Sequence, residues 1–500
     1  MSRNRYRIHM RKNILLESYL SSNSLVQHQI ESFNRFVEQD IQKIIDQQAT
    51  IEPSVEGFSL KLGKIRLDKP SVIEADSSRR SILPNEARLR NLTYSSPMFL
   101  EFVPVIRGIE KEASYGEVFV GELPIVVRSN LCHFRMLTKG QLVENGEDPE
   151  DPGGYFIIKG TERVLIGLED LAPNRIITSK EKGGAETTSK VFSTAPGFRA
   201  RTVVSRNQNG VFSVEFPTLH KPVDMVLILR ALGIQVSDML DSASDILSFK
   251  NDMLLNTEMS EAKELGPSDA LLELGKFSAP GQAKEYQMKR AETQLDTYLL
   301  PHVGTKPEMR KQKGRYILQM SRRASIVANR LAPQDDKDHY SNKRVKYAGQ
   351  LMEELFAYAF RFFVKDVKYQ IERASARGRK LSIPTIISPE TITEKISYAM
   401  GTGTWVAGQT GVSQVLDRTN LVSAYTNLRR VKSPLAKKHP HFNAREVHGT
   451  QWGKICISET PEGLDVGLTK YLAIMAKVSV GAEEKQVESK LKDLGKIEED

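Results

Sequence analysis

The stretch from Arg344 to about Glu372 holds helical periodicity longer than any other part of the chain, and Leu351, Leu355, Ala359, Phe362, Phe363 and Val364 supply its apolar stripe. A helix of that length is stabilised mainly by what covers its stripe, so the remaining segments must provide a core. Those segments are of mixed kind. Residues 13–48 read as helices, because Ile30, Phe33, Phe36, Val37, Ile41, Ile44 and Ile45 recur at helical spacing. Ile51–Ile65, Phe99–Gly108 and Val118–Val127 are short and β-rich, broken by Pro, Gly, Asn and Ser. Residues 140–154 include a Gly/Pro/Asp loop; Tyr155–Ile158, a Lys159–Gly160 turn and Arg163–Ile166 then form a hairpin pattern. A chain of 500 residues implies two to four domains.

Residues 181–296 read as a separate module. It opens on a polar stretch, Glu181–Thr202, and continues with a strand pair around Thr202–Phe216 turning at Asn207–Gly210. Helical patterns follow over Asp224–Leu232 and Ser237–Leu255. Residues 306–330 carry eight basic side chains (Lys306, Arg310, Lys311, Lys313, Arg315, Arg322, Arg323 and Arg330) against one acid, Glu308. Asp335, Asp336, Lys337 and Asp338 mark a polar break. Residues 401–410 are Gly/Thr-rich, and Glu483–Asp500 reads as a charged helical tail with a narrow stripe of Val487, Leu491 and Leu494.

Several kinds of chemistry are missing. No G-x-x-x-x-G-K-[ST] phosphate cradle is present, and Gly401, Gly403 and Gly408 miss the G-x-G-x-x-G spacing. Asp335, Asp336 and Asp338 come nearest to a magnesium-holding loop but read as solvated acids near a helix start. Two cysteines, Cys132 and Cys456, exclude a disulfide framework or a four-cysteine zinc site and suggest a reducing intracellular compartment. His439, His441, His448 and Cys456 fit none of the usual zinc spacings and read as polar loop residues. Glu459 and Glu462 flank Thr460–Pro461 and precede Gly463, which is turn chemistry rather than an acid–base pair. No apolar run has the length of a signal peptide or a membrane span, so no membrane partner is expected.

What is present is positive charge. The 71 Lys and Arg against 62 Asp and Glu leave a net charge of +9, which permits a nucleic-acid partner without demanding one. The excess is concentrated between Tyr425 and Pro440, where Arg429, Arg430, Lys432, Lys437 and Lys438 occur without an acid. Pro434 and Pro440 keep that stretch from being one helix, and a basic, proline-hinged loop suits phosphate contact. Just upstream, Gly401, Gly403, Gly408 and Gly411 surround Trp405, a composition that lets backbone approach a ligand closely.

Three segments carry a family resemblance. Gly153–Ile166 closely resembles the "GGYFIINGSERVLI" segment of the second-largest subunit of archaeal and eukaryotic RNA polymerases. Gly411–Leu416 is similar to its "GVSQVL" segment. Arg445–Cys456 followed by Glu459–Gly463 resembles its "R-x-x-H-x-x-x-W-G-x-x-C-x-x-E-T-P-E-G" block. Pro124–Ser129, Leu131–Cys132 and Asp336–Tyr340 fit the same family in the same order, and the resemblance runs from about Leu25 to Gly481.

The resemblance implies a multidomain α+β fold of mixed helices and antiparallel sheets. In it, residues 1–180 and 335–400 would form the protrusion, 181–334 an inserted lobe, 401–482 the fork, and 483–500 a charged C-terminal helix. It implies the amino-terminal piece of a subunit that some archaea split in two, working in the cytoplasm. Expected partners are the carboxyl-terminal half of that subunit, the largest polymerase subunit, other polymerase subunits, template and downstream DNA, and nascent RNA. Gly401–Gly411 and Arg429–His441 would be the fork loops, and the family positions that line the RNA path fall on Gln414, Arg429, Arg430, Pro461 and Asp465. With Lys432, Lys437 and Lys438 these are the candidate nucleic-acid-binding residues. No catalytic or metal-binding residue is expected, since magnesium belongs to the largest subunit, and the chain alone should not polymerise RNA. The alternatives are a free-standing nucleic-acid-binding protein and a purely structural assembly protein.

Overall fold

The computed structural model describes Ile14, Ser18, Tyr19 and residues 24–494, apart from 56, 77, 111–115, 181–185, 196–197, 220, 379–381 and 480–483. Most of the basic start, parts of the polar stretch Glu181–Thr202, and Glu483 with the last six residues of the expected tail lie outside the described residues. The chain divides into two compact units, one of residues 1–170 and 345–500 and one of Leu171–Arg344.

The first unit is built around two helices. Gln27–Arg35 passes through a π turn, Phe36–Asp40, into Ile41–Gln47, burying Phe33, Phe36, Ile41, Ile44 and Ile45. Ala348–Ala376 lies against it along Leu351, Met352, Leu355, Phe356, Ala359, Phe360 and Phe363, a spacing of three and four that keeps one face inward. Two details differ from the sequence expectation. The helix starts at Ala348 rather than Arg344, because Lys343–Lys346 is extended and the Tyr347 N–H donates to Gln350 Oε1 at 3.1 Å. Phe362 sits beside the buried stripe and is exposed, with the Lys395 ammonium 3.9 Å from its ring centre.

The two helices cross at a glycine. The Gly349 N–H donates to Ser32 Oγ at 3.2 Å, and a Cβ built at Gly349 would overlap the Ser32 carbonyl oxygen. Around this crossing lies an antiparallel sheet of Thr50–Ile51, Phe58–Leu67, Ser95–Ile106 and Ile109–Glu110, with Glu117–Pro124 also paired to Ser95–Ile106. The expected hairpin is present as Phe156–Ile158 and Thr161–Leu165. Its turn residues, Lys159 at φ 47° and Gly160 at φ 76°, have the two positive φ values of a type I′ turn. A Cβ at Gly160 would come within 2.6 Å of Asn91 Oδ1, so glycine is required for space as well as for backbone angle.

The second unit carries the sheet Ile177–Lys180, Glu186–Ala195, Phe198–Asn207, Phe212–Glu215 and Val223–Asp224, antiparallel throughout. Ile317, Leu318, Met320 and Ala324 of helix Arg310–Ala328 join its core with Val191, Val204, Phe212 and Val214. The helical pattern expected over Ser237–Leu255 is two helices, Val236–Asp241 and Leu247–Met259. Between them Ser242 and Ser244 turn their hydroxyls onto the Met239 and Asp241 carbonyls, competing with continuation of the helix. The basic run 306–330 is partly spent on the fold. Arg310 forks onto Asp296, Arg322 and Arg323 pair with Asp245 and Asp335, and the buried Lys313 donates to the Leu295 and Asp296 carbonyls at 2.8 and 2.7 Å. Lys306, Lys311, Arg315 and Arg330 remain exposed.

The helix crossing makes a direct prediction. Gly349→Ala should lower stability by about 3 kcal/mol or more, because the clashing atom is backbone and cannot rotate away. Gly401→Ala, at a helical glycine with open space around it, should be neutral or stabilising by up to about 1 kcal/mol. Denaturant midpoints of the two variants check the contrast.

Candidate nucleic-acid interface

The basic stretch folds as helix, strand and loop. Asn420 caps the helix Leu421–Leu428, its Oδ1 accepting from the Ser423 N–H at 2.8 Å. The chain then becomes the strand Arg430–Lys432, parallel to Gly167–Leu171 on one side and antiparallel to Thr469–Tyr471 on the other. Lys470 and Glu169, one from each strand flanking Arg430–Lys432, form a buried ion pair at 3.0 Å across it. Removing one partner of such a pair leaves the other charge buried, which costs about 3–5 kcal/mol. After Ser433 the chain leaves the sheet, and residues 434–440 are all exposed.

Arg429, at the helix–strand junction, is turned inward. Its Nη1 donates to the Leu25 carbonyl at 2.6 Å, and its Nη2 to the carbonyls of Leu472, Ala473 and Ile474 at 3.3, 2.6 and 3.4 Å. This side chain ties the start of the described chain to the strand end near residue 472 and does not join the surface cations. Next to it the imidazole of His28 is buried against Tyr347, with Nε2 3.4 Å from the Leu428 carbonyl. Burial, and then the Arg429 charge, depress the His28 pKa to about 3.

The other residues gather outside. Gln414 lies on the strand Ser413–Val415, which extends the hairpin through Leu165, Val164 and Arg163. Arg430 Nη1 donates to Gln414 Oε1 at 3.3 Å, and Gln414 Nε2 donates to the Gly411 carbonyl at 3.0 Å. A Cβ at Gly411 would lie 3.5 Å from Lys432 Nζ, so the glycine loop and this ammonium are neighbours. Burial, and then the proximity of Lys437, push the Lys432 pKa down, while Asp465 opposes them. Lys437 itself pairs with Asp465 at 2.7 Å. Among the described residues, Asp465 Oδ1 and Arg430 Nε are buried with no hydrogen-bond partner. Lys438 is exposed and Pro461 half-buried.

The Glu459–Gly463 segment is a turn. Thr460 Oγ1 donates to the Thr469 carbonyl at 3.0 Å and accepts from the Gly467 N–H at 2.9 Å, closing the segment onto the sheet. His448 bonds Thr450, and the His439 and His441 rings meet edge to face at 5.7 Å. The apolar run after Gly463 divides: Leu468, Tyr471 and Leu472 are buried, whereas Ile474 and Met475 are exposed. Sequence reading missed Arg445, whose guanidinium sits among the carbonyls of two loops. Its place in a motif was visible, but its bonding depends on chain segments that only the fold brings together.

Cations and one amide are thus gathered on a short sheet, beside a glycine loop and a turn. The RNA polymerase beta subunit profile matches residues 24–394, and the RNA polymerase Rpb2 domain 3 profile matches residues 414–478. The chain is 47% identical over 488 residues to the DNA-directed RNA polymerase subunit Rpo2N of Methanocaldococcus jannaschii, covering 96% of this chain and 98% of that protein. It is 42% identical over 500 residues to Rpo2N of Methanococcus vannielii, with 97% and 99% covered. Against DNA-directed RNA polymerase subunit Rpo2 of Saccharolobus solfataricus it is 43% identical over 487 residues, which is 97% of this chain and 43% of that longer protein. The chain belongs to the RNA polymerase beta subunit family, the second-largest subunit of DNA-directed RNA polymerase.

The buried His28 sets a pH dependence. Its folded pKa of about 3 lies below the ordinary value of 6.5, so between those limits the unfolded chain binds a proton that the folded chain refuses. This contribution to stability is intact above about pH 6.5 and is lost as pH falls, by up to about 1.4 kcal/mol per pH unit. His28→Gln should remove that part of the slope, measured by urea unfolding at pH 7.5 and 5.5.

Proposed function

We propose that this chain forms one side of the DNA cleft, together with the fork loops near the active centre, in an assembled DNA-directed RNA polymerase, and that it does not catalyse alone. The observation that carries this reading is the gathering of Gln414 and Lys432 beside Gly411, with Arg430 bonded to Gln414, Lys437 near enough to Lys432 to lower its pKa, Lys438 exposed on the same loop and Asp465 as the acid paired with Lys437. Lysine ammonium groups on an exposed loop suit phosphate oxygens of template DNA or nascent RNA. Asp465 serves in this reading as the counter-ion that keeps Lys437 in place, and Pro461 shapes the turn beside it. Arg429 acts from behind, holding the strand that presents Arg430 and Lys432.

Residues 1–180 and 335–400 are assigned to the protrusion, 181–334 to the lobe and 401–482 to the fork, with the loops around 401–411 and 429–441 as the fork loops. The partners are the largest polymerase subunit, which holds the catalytic magnesium, and a polypeptide corresponding to the carboxyl-terminal half of the second-largest subunit. Phe442, Trp452, Leu464, Ile474 and Met475, each at least 67% exposed, are the side chains that such partners would cover. The name Rpo2N of the full-length relatives and the greater length of Rpo2 support the split arrangement. The cytoplasm is the site of action in this reading, and among the described residues no helix is long and apolar enough to cross a membrane.

The test uses the reconstituted enzyme. Lys432→Ala, Lys437→Ala and Lys438→Ala together should shorten the lifetime of the elongation complex. They should also flatten its log–log salt dependence by about 2 to 3, roughly 0.9 for each phosphate that is no longer neutralised. Arg429→Ala should instead lower the thermal midpoint of the chain. Lifetimes unchanged across the salt series would mean that the loop is merely solvated.

A further inference from the structure

The exposed loop after Ser433 has no core of its own, yet it holds a defined shape. One side chain bonds both it and the segment after Gly463. Arg445 Nε donates to the Pro440 carbonyl at 2.8 Å. Its Nη1 donates to the carbonyls of Leu464 and Val466 at 2.9 and 2.8 Å, and its Nη2 to those of Lys437 and His439 at 3.0 and 3.3 Å. A guanidinium has five N–H donors in a fixed fork, and here five backbone carbonyls receive them. Three of those carbonyls belong to the basic loop and two to the segment after the Glu459–Gly463 turn. The backbone of Arg445 is held as well: a Cβ at Gly467, which has φ 69°, would overlap the Arg445 carbonyl. The Lys437–Asp465 pair spans the same gap from side chain to side chain.

We infer that Arg445 is a positioning residue for nucleic-acid contact: it joins residues 437–440 and 464–466 into one body and thereby fixes where Lys437 and Lys438 present their charge. This rests on the nucleic-acid reading of the loop proposed above. Arg445 does not itself contact phosphate, because its donors are committed to carbonyls. Lysine cannot replace it, since an ammonium has three donors at a single point and cannot span two loops.

The charge-conserving variant is therefore the decisive one. In the full chain, Arg445→Lys and Arg445→Ala should both speed amide exchange over residues 437–441 and 464–467 by about tenfold or more. Exchange at the buried hairpin residues 156–158 should stay unchanged, which reports that the chain is folded. In the reconstituted polymerase both variants should shorten the elongation-complex lifetime to a similar degree. Added to Lys437→Ala with Lys438→Ala, either should have little further effect. Unchanged exchange in the two segments overturns the inference whatever the loop binds. So does a lysine variant with the full wild-type lifetime, which would mean that charge alone matters at this position. Faster exchange with an unchanged lifetime also overturns it; the lysine substitutions then tell which premise failed. If they weaken the complex, the loop binds nucleic acid without needing Arg445; if they too are silent, the nucleic-acid reading falls with it.

Discussion

The close approach of two helices at Gly349 is the contact on which the first unit depends. Backbone meets backbone there, with the Ser32 carbonyl where any side chain at 349 would have to go. That closeness puts Gln29 in reach of three other segments. Its Nε2 donates to the Leu165 and Leu428 carbonyls, both at 3.1 Å, and its Oε1 accepts from the Ala348 N–H at 3.2 Å. One buried amide thus serves the hairpin strand, the end of helix Leu421–Leu428 and the start of the long helix. A buried backbone group left without a partner costs about 1–3 kcal/mol, and Gln29 supplies one to all three, sharing the Leu428 carbonyl with His28.

Arginine and lysine divide the work around this frame. Arg88 bonds Glu147, Glu162 and the Tyr155 hydroxyl, each at 2.7 Å, and Arg418 bonds Asp151 and Glu162, so that two guanidinium groups and three carboxylates lock the hairpin to distant loops. Arg429 and Arg445 do the same with carbonyls. Planar forks with several donors suit fixed acceptors, whereas a lysine ammonium on a flexible stem is better suited to a partner that moves. Lys437 and Lys438 stay at the surface, and Lys432 is half-buried, its charge disfavoured by burial and by Lys437. The proposed contact face is thus made of lysines held in place by arginines behind and beside them.

The order of local elements could be read from residues alone. The β-rich runs flanking a two-residue turn at Lys159–Gly160 specify a hairpin, and three- and four-residue spacing specifies the long helix, because both periodicities are properties of the backbone. The ordered motifs from Gly153 to Gly463 carried the family, since side-chain identity at fixed spacing is sequence information. Misjudged details were local competitions: extended backbone at Lys343–Lys346 delays the long helix, and Ser242 and Ser244 interrupt another.

What the sequence could not decide is where a charge ends up. Arg429, Arg430, Lys432, Lys437 and Lys438 look alike as five cations without an acid between them. The fold turns Arg429 onto carbonyls around Leu25 and Leu472–Ile474, sets Arg430 beside Gln414, and brings Asp465 to Lys437 from 28 positions away in the chain. Five donors at Arg445 find five acceptors because two loops happen to close around it. Such choices depend on contacts between remote segments, which residue type and spacing do not encode, whereas a hairpin or a helix depends on neighbours within a few residues. The sequence therefore determined the elements and the family, and the tertiary structure alone decided which cations hold the protein together and which stay at the surface.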